Sequence, residues 1–254
     1  MKDIRIISRA DDIGSTRSAN AATLQVIQAG FIKNVSLMAV GPYIDEAFSL
    51  LGAVKNVCYG LHATLNAEWD TYRWKPLTKL SKDSGLVDEQ GYFLATPSMF
   101  LDTKPDITTA LAEYEAQLDK LTRLGFDIRY VDSHMHEEGF VEGLADAKRD
   151  WATKKGLLFG ADYRNVPPKV HDEENLHRLG NFLASLASGQ YVYVIHPSFD
   201  DEETRGTGNS ALPGSEVARV RNLETTITSD SDFINYIRAN GVTGVRYDEA
   251  TPIL

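Results

Sequence analysis

The sequence predicts an α/β protein whose mostly parallel strands curl into a closed or nearly closed (β/α), TIM-like barrel. Three observations carry this. Short β-branched runs alternate with helical periods along all 254 residues, about seven strands in total, the pattern of a parallel sheet. No glycine-rich phosphate-binding fingerprint follows the first strand, so the dinucleotide-binding and P-loop readings lack their signature. No internal repeat or disordered linker divides the chain, so residues 1–254 read as one domain, a length that one α/β barrel fills.

The run Ile4-Arg5-Ile6-Ile7 is short and β-branched and reads as the first strand, ending in Arg9-Ala10-Asp11-Asp12-Ile13-Gly14. Ser15 or Thr16 caps a helix carried by Ala19, Ala22, Leu24, Val26 and Ile27 and stopped by Gly30. A strand at 35–40, a helix near 43–51 and a strand at 57–61 follow, the last delivering His62. Residues 66–104 hold Trp69, Tyr72 and Trp74 without a sustained period, and so long a stretch reads as a functional or capping insertion. From Pro105, Ile107, Leu111, Tyr114, Leu118, Leu121 and Leu124 recur three and four apart, a helix that Gly125 ends. A strand at 128–131 runs into Asp132-Ser133-His134-Met135-His136. A helix at 140–154, a short strand at 157–159, a loop at 162–172 and a helix at 176–186 come next. The strand at 191–195 ends in His196-Pro197. Residues 200–213 are polar and glycine-rich and read as a mobile loop; helices at 215–223 and 232–239 and a strand at 242–247 follow.

Composition narrows the function. Lys and Arg number 26 against 36 Asp and Glu, a net charge of -10, which argues against a nucleic-acid or anionic-membrane surface. Cys58 is the single cysteine, so no intrachain disulfide and no cysteine-rich zinc site can form. Histidines and carboxylates must carry any metal chemistry. No apolar run approaches the roughly 18 residues of a membrane span. The first strand begins almost at Met1, so no secretory leader is expected and a cytoplasmic location is the default.

The chemistry-bearing residues share a placement. Asp11-Asp12, His62, the Asp132 to His136 cluster and His196 fall at the C-terminal ends of strands, the face that carries active sites in parallel α/β folds. Adjacent strand residues point to opposite sides, yet at a turning strand end both aspartates can reach one cleft, one holding a metal and the other accepting a proton. The plainer alternative is that Asp12 caps the first helix, or that both pair with Arg9 or Arg17. Gly14 suits an unhindered turn. His134 and His136 lie on one side if the strand persists that far. Asp132, in phase with them, either binds the metal or fixes a histidine tautomer from behind; the alternative for the whole cluster is a solvated loop. An imidazole suits proton donation to a leaving group, the role that His196 offers. One carboxylate with two imidazoles suits zinc or another first-row divalent ion with positions left for water, whereas magnesium prefers oxygen ligands. Metal-bound water beside a free carboxylate is a hydrolytic arrangement. Ser15, Ser133 and Ser198 have no nucleophile elbow around them, and Met135 and Cys58 read as packing. Trp69, Tyr72 and Trp74 suit a sugar face, with Arg73 and Lys75 adding polar contacts, or else they pin the long insertion to the barrel.

Taken in order, Ala10-Asp11-Asp12-Ile13-Gly14, Gly60-Leu61-His62, Asp132-Ser133-His134-Met135-His136 and His196-Pro197 resemble the motifs of the YdjC-like family, which includes chitooligosaccharide and hopanoid-related deacetylases. The likeness covers essentially the whole chain. It implies a distorted (β/α) barrel and a divalent-metal N-deacetylase that releases acetate from an acetylated amino sugar or oligosaccharide. It implies Asp12, His62 and His134 as metal ligands, Asp11 as general base, His196 as general acid, and His136 either touching substrate or standing behind the ligands. It implies one divalent ion, magnesium by family habit or zinc by related deacetylases, and members often form homodimers. The chain departs from the pattern at Ile13, where phenylalanine is usual, at Arg9, where asparagine is common, and at Ser198, where glycine is frequent. These departures leave the metal triad intact and the sugar open. Other readings of the same residues are a metal-dependent esterase or phosphoesterase, a metal-dependent sugar isomerase or epimerase, and a carbohydrate-binding protein without catalysis.

Overall fold

Seven strands, every pair of them parallel, form one curled sheet in the computed structural model, which describes residues 2–166 and 178–253. They are β1 (Ile4–Ile13), β2 (Asn34–Leu37), β3 (Cys58–Ala63), β4 (Ile128–Ser133), β5 (Leu158–Phe159), β6 (Gly189–Ile195) and β7 (Val242–Val245). The order across the sheet is β5-β4-β3-β2-β1-β6. β6 runs along one edge of β1 from Ile4 to Ala10, while the other edge pairs first with β7 and then, from Arg9, with β2. Asn34 ties that fork together. Its amide donates to the carbonyls of Ser8 (3.0 Å) and Val245 (2.9 Å) and accepts from the Tyr247 N–H at 2.8 Å.

The barrel closes imperfectly. The chain beyond β5 crosses to β6, where the Val166 N–H donates to the Val192 carbonyl (3.0 Å) and the Val192 N–H to the Arg164 carbonyl (2.7 Å). Nine helices stand among the described residues: α1 (Arg17–Ala29), α2 (Ile44–Leu51), α3 (Phe100–Thr103), α4 (Ile107–Leu124), α5 (Leu144–Lys155), α6 (Leu179–Ser185), α7 (Glu202–Arg205), α8 (Gly214–Ser229) and α9 (Ser231–Ala239). Thr16, rather than Asp12 or Ser15, caps α1 by accepting from the Ala19 N–H, and Asp106 caps α4 in the same way. None of these helices is long and apolar enough to cross a membrane.

Strand alternation sorts the side chains. Ile4, Ile6 and Ala10 of β1, Tyr59 and Leu61 of β3 and Tyr193 and Ile195 of β6 join the main apolar core. The opposite parity, Ile7, Cys58, Tyr130, Val192 and Val245, forms a second buried cluster with Tyr163 and Tyr247. Gly60 belongs to that second set because nothing larger fits: a Cβ there would lie 2.2 Å from the Tyr130 ring. Arg9, Asp11, His62, Asp132 and His196 have the parity of this second cluster and continue it toward the strand ends.

β1 runs through the Arg9-to-Gly14 motif as far as Ile13, with an irregularity between Ala10 and Ile13. Two expectations from sequence need correction. Residues 200–213 are not loose. Asp201 caps α7, the Asp70 N–H donates to the Gly208 carbonyl (2.9 Å), and the Asn209 amide donates to the Glu68 carbonyl (3.0 Å). α8 extends to Ser229, six residues beyond the expected 223. The expected loop at 162–172 past Val166 and the start of the expected helix at 176–186 fall outside the described residues.

Candidate active site

The C-terminal ends of β1, β3, β4 and β6 open into a cleft of about 580 Å³ lined by Asp11, Asp12, His62, Asp132, His134 and His196, as placement on strand ends predicts. Parity alone brings Asp11 there, but Asp12 would point the other way on an extended strand. Its backbone is left-handed (φ 67), a conformation that aspartate tolerates better than most residues. Gly14 (φ 99) then turns the chain into α1 past the Ile44 side chain.

At the floor, three donor atoms from three strand ends form a nearly equilateral triangle. Asp12 Oδ1 lies 3.2 Å from His134 Nδ1 and 3.4 Å from His62 Nε2, and the two nitrogens are 3.3 Å apart. Ligands about 2.0–2.1 Å from one ion are separated by about 2.8–3.0 Å in octahedral and about 3.3–3.4 Å in tetrahedral geometry, so the triangle has the size of a metal-binding face, nearer the tetrahedral one. Asp12 Oδ1 is buried and has no hydrogen-bond partner among the described residues. A buried carboxylate oxygen left this way is costly unless an ion completes it.

Each member of the triangle has its own partner on the far side. His62 and Asp132 are register neighbours on β3 and β4, and His62 Nδ1 lies 2.6 Å from Asp132 Oδ1. That bond places the proton on Nδ1 and leaves Nε2 to face the triangle. Asp132 is anchored in turn by the Ser36 hydroxyl (2.5 Å) and by Arg9 (2.9 Å). His134 Nε2 lies 2.8 Å from Glu68, and the second oxygen of Asp12 accepts from Arg221 at 2.6 Å. Asp11 is held by Arg9 through two bonds of 2.7 Å. Glu68 and Arg221 were not legible as site residues: one stands in the aperiodic insertion and the other in the middle of α8.

The electrostatics follow from these pairs. Burial opposes the charge on Asp12, but Arg221 and the two imidazoles outweigh it and hold its carboxyl well below the usual range. Burial likewise opposes charge on His62, while Asp11 and Asp132 favour it, and the balance lifts the imidazole to about 9. Burial also works against a charged His134, yet Glu68 and Asp12 prevail and raise it well above an ordinary histidine. Four carboxylates against two guanidiniums leave the cluster two negative charges. Two protons on the imidazoles balance them, and so does one divalent ion with both imidazoles neutral.

His196 enters the cleft from the end of β6, half-buried, with its backbone N–H donating to Glu224 of α8 at 2.8 Å. His136 does not share a face with His134. β4 ends at Ser133, and Met135 (φ 55) and His136 (φ 54) are both left-handed, so the two-residue period fails and His136 stands exposed at the rim. That turn is held from below by the buried Lys148, which bonds Ser133 and Glu137 (3.0 Å), and by Tyr114, which donates to Glu137 at 2.7 Å.

Of the aromatic residues of the insertion, Trp69 alone lines the cleft, with the Arg221 guanidinium 5.9 Å from its ring centre. Tyr72, Arg73 and Trp74 do not line it. Trp74 is buried, donates to the Asn66 carbonyl at 2.6 Å and packs edge-on behind His134 (5.9 Å). Tyr72 lies over Gly206. Arg73 bonds Asp88 (2.7 Å) and the Phe93 carbonyl (2.6 Å), bracing the insertion from within. The pinning reading therefore accounts for these three residues.

Comparison with known proteins agrees with the geometry. A carbohydrate deacetylase of Thermoanaerobacter pseudethanolicus is 28% identical over 257 residues, covering 95% of this chain and 97% of that protein. A carbohydrate deacetylase of Enterococcus faecalis is 26% identical, covering 98% of each. A solved structure of a proposed cellobiose-phosphate cleavage protein from Enterococcus faecalis V583 has the same fold, with a TM-score of 0.77 at 19% identity over 97% of this chain and 98% of that one. The family described as YdjC-like protein matches residues 5–158, which include Asp11, Asp12, His62 and His134. On that match the chain belongs to the YdjC-like family.

Proposed function

We propose that the protein is a carbohydrate N-deacetylase that uses one divalent ion, held by Asp12, His62 and His134, to hydrolyse the acetamido group of an amino sugar. The observation that carries this reading is the closed triangle of donor atoms with its unpartnered Asp12 oxygen, facing the same cleft as Asp11 and His196. The relatives named carbohydrate deacetylase supply the substrate class. The nitrogen-rich donor set favours zinc or another first-row ion over magnesium.

An ion held by Asp12, His62 and His134 would supply Lewis acidity to the acetyl carbonyl and to the attacking water. Asp11, clamped beside the triangle, accepts the proton of the attacking water as its oxygen bonds to the carbonyl carbon. His196, from the β6 side of the cleft, donates a proton to the nitrogen as the C–N bond breaks, so that acetate and a free amine leave. Trp69 offers an apolar platform for the sugar ring. Arg221 and Asp132 hold Asp12 and His62 in place.

The test is a screen of N-acetylated mono- and oligosaccharides with protein reconstituted separately with zinc, cobalt, manganese and magnesium, scored for acetate. Acetate and amine appearing in equal amounts supports the reading. Phosphate release from sugar phosphates, or conversion of the sugar without acetate, contradicts it.

A further inference from the structure

We infer that Arg9 is a positioning residue that divides labour between the two adjacent aspartates by holding Asp11 away from the metal ion. This rests on the deacetylase reading given above. Arg9 is 8% exposed and meets Asp11 with two parallel bonds, Nε to Oδ1 and Nη2 to Oδ2, both 2.7 Å. Its third nitrogen, Nη1, reaches Asp132 Oδ2 at 2.9 Å and the Tyr247 hydroxyl at 3.0 Å. The planar guanidinium thus joins, in one rigid unit, Asp11 and the carboxylate that grips His62 Nδ1.

The placement matters because Asp11, His62 and Asp132 also have ligand atoms within 4.8 Å of one another, a second arrangement with the dimensions of a cation site. A guanidinium supplies the positive charge between these two carboxylates. By engaging one lone pair on each Asp11 oxygen, Arg9 fixes the carboxylate plane and leaves the remaining lone pairs for a proton. Asp12 has the opposite arrangement: Arg221 takes Oδ2 alone, and Oδ1 is left without a hydrogen-bond partner. Two neighbouring residues of one type therefore acquire different roles from the way their arginines grip them, side-on for the base and end-on for the ligand. Lysine cannot replace Arg9 in this task, because a single ammonium nitrogen cannot span both oxygens of Asp11 and Asp132 together.

The experiment compares Arg9→Ala and Arg9→Lys with the wild type in zinc affinity, by competition with a chromophoric chelator, and in kcat and KM for the best acetylated sugar. Without the guanidinium, Asp11 is free to turn onto the ion. Arg9→Ala is therefore expected to bind one zinc with affinity at least threefold tighter, while kcat falls by about 10²-fold or more and KM stays within about threefold. Methylguanidinium at millimolar concentration is expected to restore part of kcat in Arg9→Ala and none in Arg9→Lys. A purely structural role predicts weaker zinc binding, with turnover falling in proportion to bound metal, and that result overturns the inference. So does turnover within threefold of wild type in either variant. Should Arg9→Ala fail to fold, Arg9→Lys decides, because it keeps the charge and removes only the two-pronged grip; an unchanged kcat there refutes the proposal. If the wild type itself releases no acetate, the deacetylase reading falls, and the zinc competition still decides whether the guanidinium keeps Asp11 off the ion.

Discussion

The floor and the rim of the cleft can be compared across a single turn of chain. His134 is 3% exposed, with Asp12 on one nitrogen and Glu68 on the other. His136, two residues on, stands in solvent on a left-handed residue beside Met135, itself 43% exposed. Every reactive group of the floor is paired in this manner: Asp11 with Arg9, Asp12 with Arg221, His62 with Asp132. A floor built of buried, mutually anchored charges pays for its desolvation through those pairs and is rigid before any substrate arrives. Among the described residues no comparable lattice of charge pairs surrounds Met135 and His136, so the rim suits recognition, where side chains adapt to what enters.

The sharpest way to break the comparison is to remove a floor ligand. Asp12→Ala and His134→Ala are expected to lose the bound metal, from one equivalent to under about a tenth, and to drop acetate release to background. Asp11→Asn is expected to keep one equivalent of metal while kcat falls by about 10²–10⁴-fold. Metal analysis of the purified variants beside an acetate assay separates the two classes, and an Asp11→Asn protein with undiminished acetate release removes Asp11 from the role of base.

The partners behind the ligands come next. Asp132→Asn and Glu68→Gln keep the shape of each side chain but lose the charge that orients an imidazole, and each should weaken metal binding by about 10–100-fold. Chelator competition measures this directly. Affinities unchanged from the wild type mean that the triangle holds its geometry unaided.

A proton balance gives the third test. In metal-free protein His62 is raised to about 9 and His134 is raised as well, both above an unfolded imidazole near about 6.5. The contribution of His62 to stability is then complete below about pH 6.5 and is lost as the pH rises through about 9, and that of His134 is lost in the same direction. The metal-loaded site needs both imidazoles neutral. Metal uptake at pH 7 should therefore expel about two protons, and the rise in Tm caused by metal should grow between about pH 6.5 and 9. Calorimetry in buffers of different ionisation enthalpy reads the protons. Uptake without proton release contradicts the charge balance assigned to the cluster.

The smallest effect belongs to the rim. His136→Ala should leave metal content at one equivalent and kcat within about threefold, and should shift KM by less than about tenfold. A loss of metal in this variant places His136 among the ligands and erases the distinction between floor and rim.

Much of the floor is legible in the sequence because strand alternation is strict. Asp11, His62, Asp132 and His196 continue the parity of the inner apolar cluster, and a parallel fold brings their strand ends to one face. What sequence cannot convey is a change of backbone sign. Asp12 joins its neighbour in the cleft through a left-handed residue, and His136 leaves the cluster through another; the same device produces opposite results. Glu68 and Arg221 reach the site from an aperiodic insertion and from a helix whose pattern announces only packing. The aromatic insertion divides within five residues: Trp69 faces the cleft, while Trp74 uses its ring against His134 and its indole N–H on the Asn66 backbone. No pattern in residues 66–104 distinguishes those two tryptophans, since the separation arises from contacts with Phe93, Leu94 and residues 206–209.

Anomalous diffraction from crystals of the active protein grown with zinc tests the central claim most directly. One strong peak is expected, about 2.0–2.2 Å from Asp12 Oδ1, His62 Nε2 and His134 Nδ1, with Asp11 beyond bonding distance and still gripped by Arg9. A peak held instead by Asp11 and Asp132, or no ion at the triangle in crystals that still turn over substrate, contradicts it.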